Sequence, residues 1–282
     1  MADRLSSHLK GGQQLLPPME SIATLSPLVT TALGCNPSSF SLQGTNTYLV
    51  GRGPRKILID SGEGRPEYLD TLSEAMESCG CTGIEQILIT HWHHDHLGGV
   101  PSIQERFGPD IPVRKFMPME QESLSSGEGA IDPYAIWARE RFEPLQDGET
   151  VRTQGASLRV IFTPGHANDH VSLVLEEEGS IFTADNVLGV GTAVFSDLGL
   201  YLNSLGKMKE AALQLSRPQV RFYTGHGAHI EDGVATLDDY VQHRTFSQHQ
   251  LCLTLTLQLI LQIHLHPGPS LPHSLIPSQR AY

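Results

Sequence analysis

The feature that most constrains this chain is Thr90-His91-Trp92-His93-His94-Asp95-His96-Leu97-Gly98-Gly99. It sets three histidines and an aspartate at H-x-H-x-D-H spacing, directly after the apolar run Gln86-Ile87-Leu88-Ile89-Thr90. That run reads as a buried strand. The ligand-type side chains therefore stand where a strand ends, and Gly98 and Gly99 let the backbone turn into a helix. Neutral imidazoles with a carboxylate suit zinc.

A metal centre needs further donors, and three appear in similar settings. Residues 157–163 alternate towards a strand and are followed by Pro164-Gly165-His166. Ser180-Ile181-Phe182-Thr183-Ala184 is a short apolar run followed by Asp185. Val220-Arg221-Phe222-Tyr223-Thr224 leads into Gly225-His226-Gly227. A lone strand-end histidine reads as a surface or hydrogen-bonded residue. Beside the first cluster, His166, Asp185 and His226 become candidate ligands.

These motifs, in this order, resemble the metallo-β-lactamase superfamily. The resemblance implies an α/β fold, the αββα four-layer sandwich, with metals at the edge between two sheets. It implies that His91, His93 and His166 hold one zinc, that Asp95, His96 and His226 hold a second, and that Asp185 bridges both. No cysteine takes a ligand-like position, unlike the lactamases that place Cys on the second zinc. Leu42-Gln43-Gly44-Thr45-Asn46-Thr47-Tyr48-Leu49-Val50-Gly51, Ile57-Leu58-Ile59-Asp60-Ser61-Gly62 and Thr90-His91-Trp92-His93 look like an animal endoribonuclease family within it. Two departures spare the ligands. His166-Ala167-Asn168-Asp169-His170 replaces a usual His-Thr-Asp-Asp-His, and Ala184 replaces a usual Gly.

The expected function is a zinc-dependent endoribonuclease that cleaves single-stranded RNA through a metal-bound hydroxide, with no DNA partner. A zinc pair lowers the pKa of bound water from about 15.7 towards roughly 7. Asp95 is the candidate catalytic residue, both ligand and proton acceptor. The alternatives are a thioesterase of the hydroxyacylglutathione hydrolase type and an inactive zinc-binding isoform. His170 is either a support for the ligands or a buried core histidine. Asp60 either supports the centre or ends a strand in a turn. Thr45, Asn46 and Thr47 either touch substrate or serve turn chemistry. His94 is expected to be exposed and non-ligating, and His229 a solvated loop residue.

Net charge is −12, with 31 Asp and Glu against 19 Lys and Arg. That balance excludes a general polyanion binder and counts against RNA, whose phosphates are held by Lys and Arg. Arg114, Lys115, Lys207 and Lys209 are the candidate cations for a cleft. The cysteines, Cys35, Cys79, Cys81 and Cys252, form no regular framework and are read as reduced thiols. A mitochondrial matrix location follows from the resemblance, although the N-terminus makes a weak presequence; cytoplasmic is the other option.

Strands are expected at 48–51, 56–60, 86–90 and 112–116, and again between 150 and 224. Helices are expected at Pro66–Ser78, 99–107, about 202–216 and 232–246. Residues 117–145 read as an irregular surface insertion. The chain therefore divides into a flexible extension 1–28, a metallo-β-lactamase domain 29–246 and a tail 247–282. The tail stands where the resemblance leads one to expect a winged-helix-like domain. Leucine or isoleucine falls at every odd position from Leu251 to Leu265, a period-2 strand pattern too short to span a membrane. An edge strand or partner-binding segment, a membrane-surface element and an alternative or aberrant C-terminal end, such as a changed reading frame, are the competing accounts, the last being preferred.

Overall fold

A computed structural model describes residues 16–118 and 141–244. The chain divides into two units, 1–238 and 239–282, and everything below concerns the first. Its strands fall into two sheets. The first holds β1 (Ile22–Thr24), β2 (Val29–Leu33), β3 (Asn46–Val50), β4 (Arg55–Ile59), β5 (Gly83–Ile89), β6 (Val113–Phe116) and β7 (Glu143–Leu145), in that spatial order. The second runs β12 (Phe222–Thr224), β11 (Ser180–Ala184), β10 (Val171–Leu175), β9 (Ala156–Phe162) and β8 (Thr150–Thr153).

Period-2 alternation sorts the first sheet's side chains between two cores. Tyr48, Val50, Ile57, Ile59 and Leu88 face the second sheet and meet Leu158, Val160, Val171, Leu173 and Phe182. Their neighbours Leu49, Leu58, Ile87 and Ile89 face outward onto helices. Strands buried on both faces need cover on both, which produces helix layers outside a sheet pair. On the first sheet the cover is α1 (Pro66–Ser78), which buries Tyr68, Leu72, Ala75 and Met76 at helical spacing. Proline sits in its first turn. Gly80, at φ +66°, ends it, with Gly80 N donating to Glu77 O and Cys81 N to Met76 O, a Schellman pattern. Cys79 and Cys81 are thus free thiols at a helix end, as expected. The short α2 (His94–Leu97) and α3 (Val100–Phe107) complete this layer, and α4 (Leu198–Gln214) lies over the second sheet, where Met208 Sδ accepts from Ser172 Oγ at 3.2 Å. The layering is the expected αββα sandwich.

Three expectations are corrected. The extension placed at 1–28 contains β1, which pairs with β2 through Ala23 and Thr31; a three-residue strand is too short to show a period. The end of the insertion placed at 117–145 is β7, parallel to β6, and a proline within it hid the strand pattern. Helix α4 begins at Leu198 rather than 202, because Asp197 caps it by accepting from Leu200 N at 2.8 Å. A last helix begins at 233. Most of the insertion, and the tail with its leucine pattern, lie outside the described residues.

Candidate metal centre

Parallel β4 and β5 end at one edge, as do β9, β11 and β12 of the second sheet. Each candidate ligand follows one of these ends. Asp60 leaves β4, His91 to His96 leave β5, His166 leaves β9, Asp185 leaves β11 and His226 leaves β12. Residues far apart in sequence thereby meet at a single edge.

Two groups of donors result, His91, His93, His166 and Asp185 in one and Asp95, His96 and His226 in the other, each with its atoms within 4.8 Å of one another. His93 Nδ1 lies 2.9 Å from both His91 Nε2 and His166 Nε2. Asp95 Oδ2 lies 3.4 Å from His96 Nε2 and 3.2 Å from His226 Nε2. Asp185 reaches both groups: Oδ2 is 3.5 Å from His166 Nε2 and 3.3 Å from His226 Nε2, and Oδ1 is 3.3 Å from His96 Nε2.

Outer hydrogen bonds fix which nitrogen faces inward in His91, His96, His166 and His226. His96 Nδ1 donates to Asp60 Oδ2 at 2.8 Å. Thr90 Oγ1 donates to the same oxygen at 2.9 Å and accepts from His91 Nδ1 at 3.0 Å. Thr90 N donates to Asp60 Oδ1 at 2.9 Å. His166 Nδ1 donates to Val194 O at 2.7 Å, and His226 Nδ1 to Gly44 O at 3.4 Å. Every neutral ring so held points an Nε2 lone pair inward. Asp185 Oδ1 is buried there without a hydrogen-bond partner. Converging lone pairs and an orphaned carboxylate oxygen repel one another unless a cation lies between them, so the donor set fits divalent metal.

The charges agree. Burial, then His166, holds His93 down at about 4, and burial with His96 and His93 holds His91 well below the usual imidazole range. Burial acts downward on His226 too, but the Asp185 carboxylate outweighs it and raises the pKa to about 9. His96 is raised likewise, its burial overcome by Asp95, Asp185 and Asp60. Both carboxylates lie well below their ordinary range: burial opposes this, and His96 beside Asp95 and His226 beside Asp185 prevail. Entering cations would replace the protons of His96 and His226.

Asp60 supports the centre and is no plain turn residue. His170 packs on His91 and His166, with ring centroids 5.2 and 5.9 Å away, and its Nδ1 meets Thr163 Oγ1 at 2.9 Å. His94 is exposed, as expected. His229 is half-buried and pairs with Glu231 at 3.1 Å. The four cations are committed elsewhere. Lys115 is buried in an ion pair with Asp169, whose other oxygen accepts from Trp92 N at 3.4 Å. Arg114 pairs with Glu149, Lys207 donates to Phe162 O, and Lys209 pairs with Asp238. Two large apolar side chains stand exposed: Val194, whose carbonyl holds His166, and Phe40, on the loop that leads into Thr45.

Sequence reasoning missed the close approaches. A Cβ on Gly225 would lie 2.1 Å from Asp185 Oδ1, so glycine there makes room for the carboxylate. The Gly-His-Gly string was the available signal.

The family model described as "Metallo-beta-lactamase superfamily" matches residues 41–226. The chain belongs to this superfamily. Within it, the chain is 41% identical to a "Beta-lactamase-like protein 2 homolog" of Caenorhabditis elegans, over 84% of this chain and 74% of that one. It is 38% identical to an "Atrochrysone carboxyl ACP thioesterase" of Aspergillus chevalieri, over 88% and 72%. A solved beta-lactamase domain protein from Burkholderia ambifaria shares the superfamily's fold with a TM-score of 0.66 at 19% identity, over 86% and 79%. The chain is thus a metallo-beta-lactamase superfamily hydrolase with a His/Asp metal-binding cluster. Among the described residues, no helix is long and apolar enough to cross a membrane.

Proposed function

We propose that this chain is a two-zinc endoribonuclease that hydrolyses phosphodiester bonds of single-stranded RNA. The observation that carries the two-metal reading is Asp185, which lies against histidines of both donor groups. In this reading His91, His93 and His166 would hold one ion, Asp95, His96 and His226 would hold the other, and Asp185 would serve both. Bound zinc would supply an acidified water and positive charge opposite the scissile phosphoryl group.

The residues of the chain do the rest. Asp60 holds His91, through Thr90, and His96 in the tautomers that ligation requires. Asp95 is the most open carboxylate of the set, its side chain 28% exposed against 10% for Asp185. It accepts the proton of the attacking water and delivers it to the departing 3′ oxygen. The water oxygen bonds to phosphorus as the P–O3′ bond breaks, leaving a 3′-hydroxyl and a 5′-phosphate. Phe40 and Val194 offer apolar surface on which an unpaired base can stack or pack. RNA as substrate, and the mitochondrial matrix as location, rest on the resemblance of residues 42–62 and 90–93 to the endoribonuclease family.

A thioesterase is the second reading. It is favoured by the thioesterase relative and by the commitment of Lys115 and its neighbours to internal pairs. Phe40 and Val194 suit an apolar acyl group as well as a base. The test is turnover of labelled single-stranded RNA and of an acyl thioester by zinc-loaded protein, beside an Asp95→Ala control. RNA cleavage that vanishes in the control supports the nuclease. Thioester turnover alone replaces it with the second reading.

A further inference from the structure

Besides Asp60 and Thr90, a second buried polar chain ends on the centre. Thr45 and Asn36 are 0% and 3% exposed. Thr45 Oγ1 lies 3.1 Å from Asp95 Oδ2 and 3.0 Å from Asn36 Nδ2. An amide NH2 only donates, so Asn36 occupies a lone pair of the hydroxyl. The single hydroxyl proton of Thr45 is left for the Asp95 carboxylate.

Asn36 is held in turn. Its Oδ1 accepts from Thr45 N at 2.9 Å, which fixes the amide's orientation. A Cβ on Gly34 would lie 2.9 Å from that same oxygen, so the amide fills space that only glycine leaves free. Thr45 also meets a second member of the same donor group. Its backbone forms an isolated antiparallel bridge with His226, and Gly44 O accepts from His226 Nδ1 at 3.4 Å. One residue therefore touches Asp95 by its side chain and His226 by its backbone.

We propose that Thr45, oriented by Asn36, is a positioning residue that sets the Asp95 carboxylate against His96 and His226 at the separation a metal ion needs. The inference rests on the two-metal reading above and is independent of the substrate. Asp95 sits on the one-turn helix α2 and is the most exposed member of its group. Without a fixed donor its carboxylate is free to turn towards solvent. The bland alternative is that Thr45 only plugs the space under the loop.

The test is cobalt(II) titration of the metal-stripped full chain, read by the visible absorption bands of the bound ion. The wild type is expected to bind two ions. Thr45→Val keeps the side chain's volume and removes its hydroxyl. It is expected to retain one ion and to bind the other 10–100-fold more weakly, with altered bands. Thr45→Ser is expected to restore both affinity and bands. Wild-type affinities and bands in Thr45→Val overturn the inference alone, and so does a Thr45→Ser that behaves like Thr45→Val. A wild type that takes up a single ion overturns the two-metal reading, and this inference with it. Should Thr45→Val fail to fold, as shown by melting of the metal-stripped protein, NMR of the zinc-loaded wild type decides. A Thr45 hydroxyl proton protected from exchange is expected, and rapid exchange overturns the proposal.

Discussion

The two sheets hold their halves of the centre by different means. On the first sheet a carboxylate does the work: Asp60 bonds His96 directly and His91 through Thr90. On the second sheet the backbone does it. Val194 O orients His166, and Gly225 lets Asp185 lie against the chain. A carboxylate adds basicity to the ring it holds, whereas a carbonyl mainly fixes its direction. The first half should therefore respond to changes of charge and the second to changes of shape.

The strongest way to break this contrast is Gly225→Ala. The new methyl would overlap Asp185 Oδ1, at 2.1 Å. Because Asp185 reaches both groups, metal affinity should fall by at least about 100-fold at each, measured by metal content after dialysis. Unchanged content would show that the second half tolerates shape after all. Asp60→Asn tests the first half. It keeps the shape but removes the charge behind His91 and His96, and affinity should fall about 10–100-fold with little change in the melting of the metal-stripped protein. A loss confined to melting would make Asp60 a folding residue only.

The pH dependence sharpens the picture further. In metal-stripped protein the folded pKa of His226 is about 9 against 6.5 for the free side chain. A raised pKa gives stability that is fully present below 6.5 and is lost as pH rises through 9. Over the same window protons compete less with metal. The melting gap between metal-loaded and metal-stripped protein should therefore widen from pH 6.5 to 9, and a constant gap would contradict the assignment. The smallest effect concerns Ala184, at φ +43°, where the resemblance leads one to expect glycine. Left-handed backbone costs an L-residue about 1–2 kcal/mol, and glycine's extra freedom in the unfolded chain returns about 0.5–1 kcal/mol of that. Ala184→Gly should raise stability by up to about 1 kcal/mol in chemical denaturation, and a decrease would remove strain as the account of this position.

The contrast between the halves also explains what the sequence made legible. The first half is local. Its histidines and Asp95 fall between His91 and His96, after a strand with a clear apolar run, so spacing alone marks them. His166, Asp185 and His226 were recognisable because each follows its own short strand, with glycine or proline close by in two of the three. The supporting residues carried no such mark. Asp60 looks like any strand-terminal aspartate, Thr45 like any turn threonine, and Lys115 like a cation free to meet a phosphate.

The sequence by itself determined the candidate donor set and the layered fold. Donor spacing and period-2 burial are written in neighbouring residues, and the physics that reads them is short-ranged. Only the tertiary structure decided which side chains stand behind the ligands. Asn36 reaches Asp95 through Thr45, and Asp169 closes on Lys115 across the space between the sheets. Those pairings depend on where strand ends converge, and no local pattern encodes the distance between two residues that folding brings together.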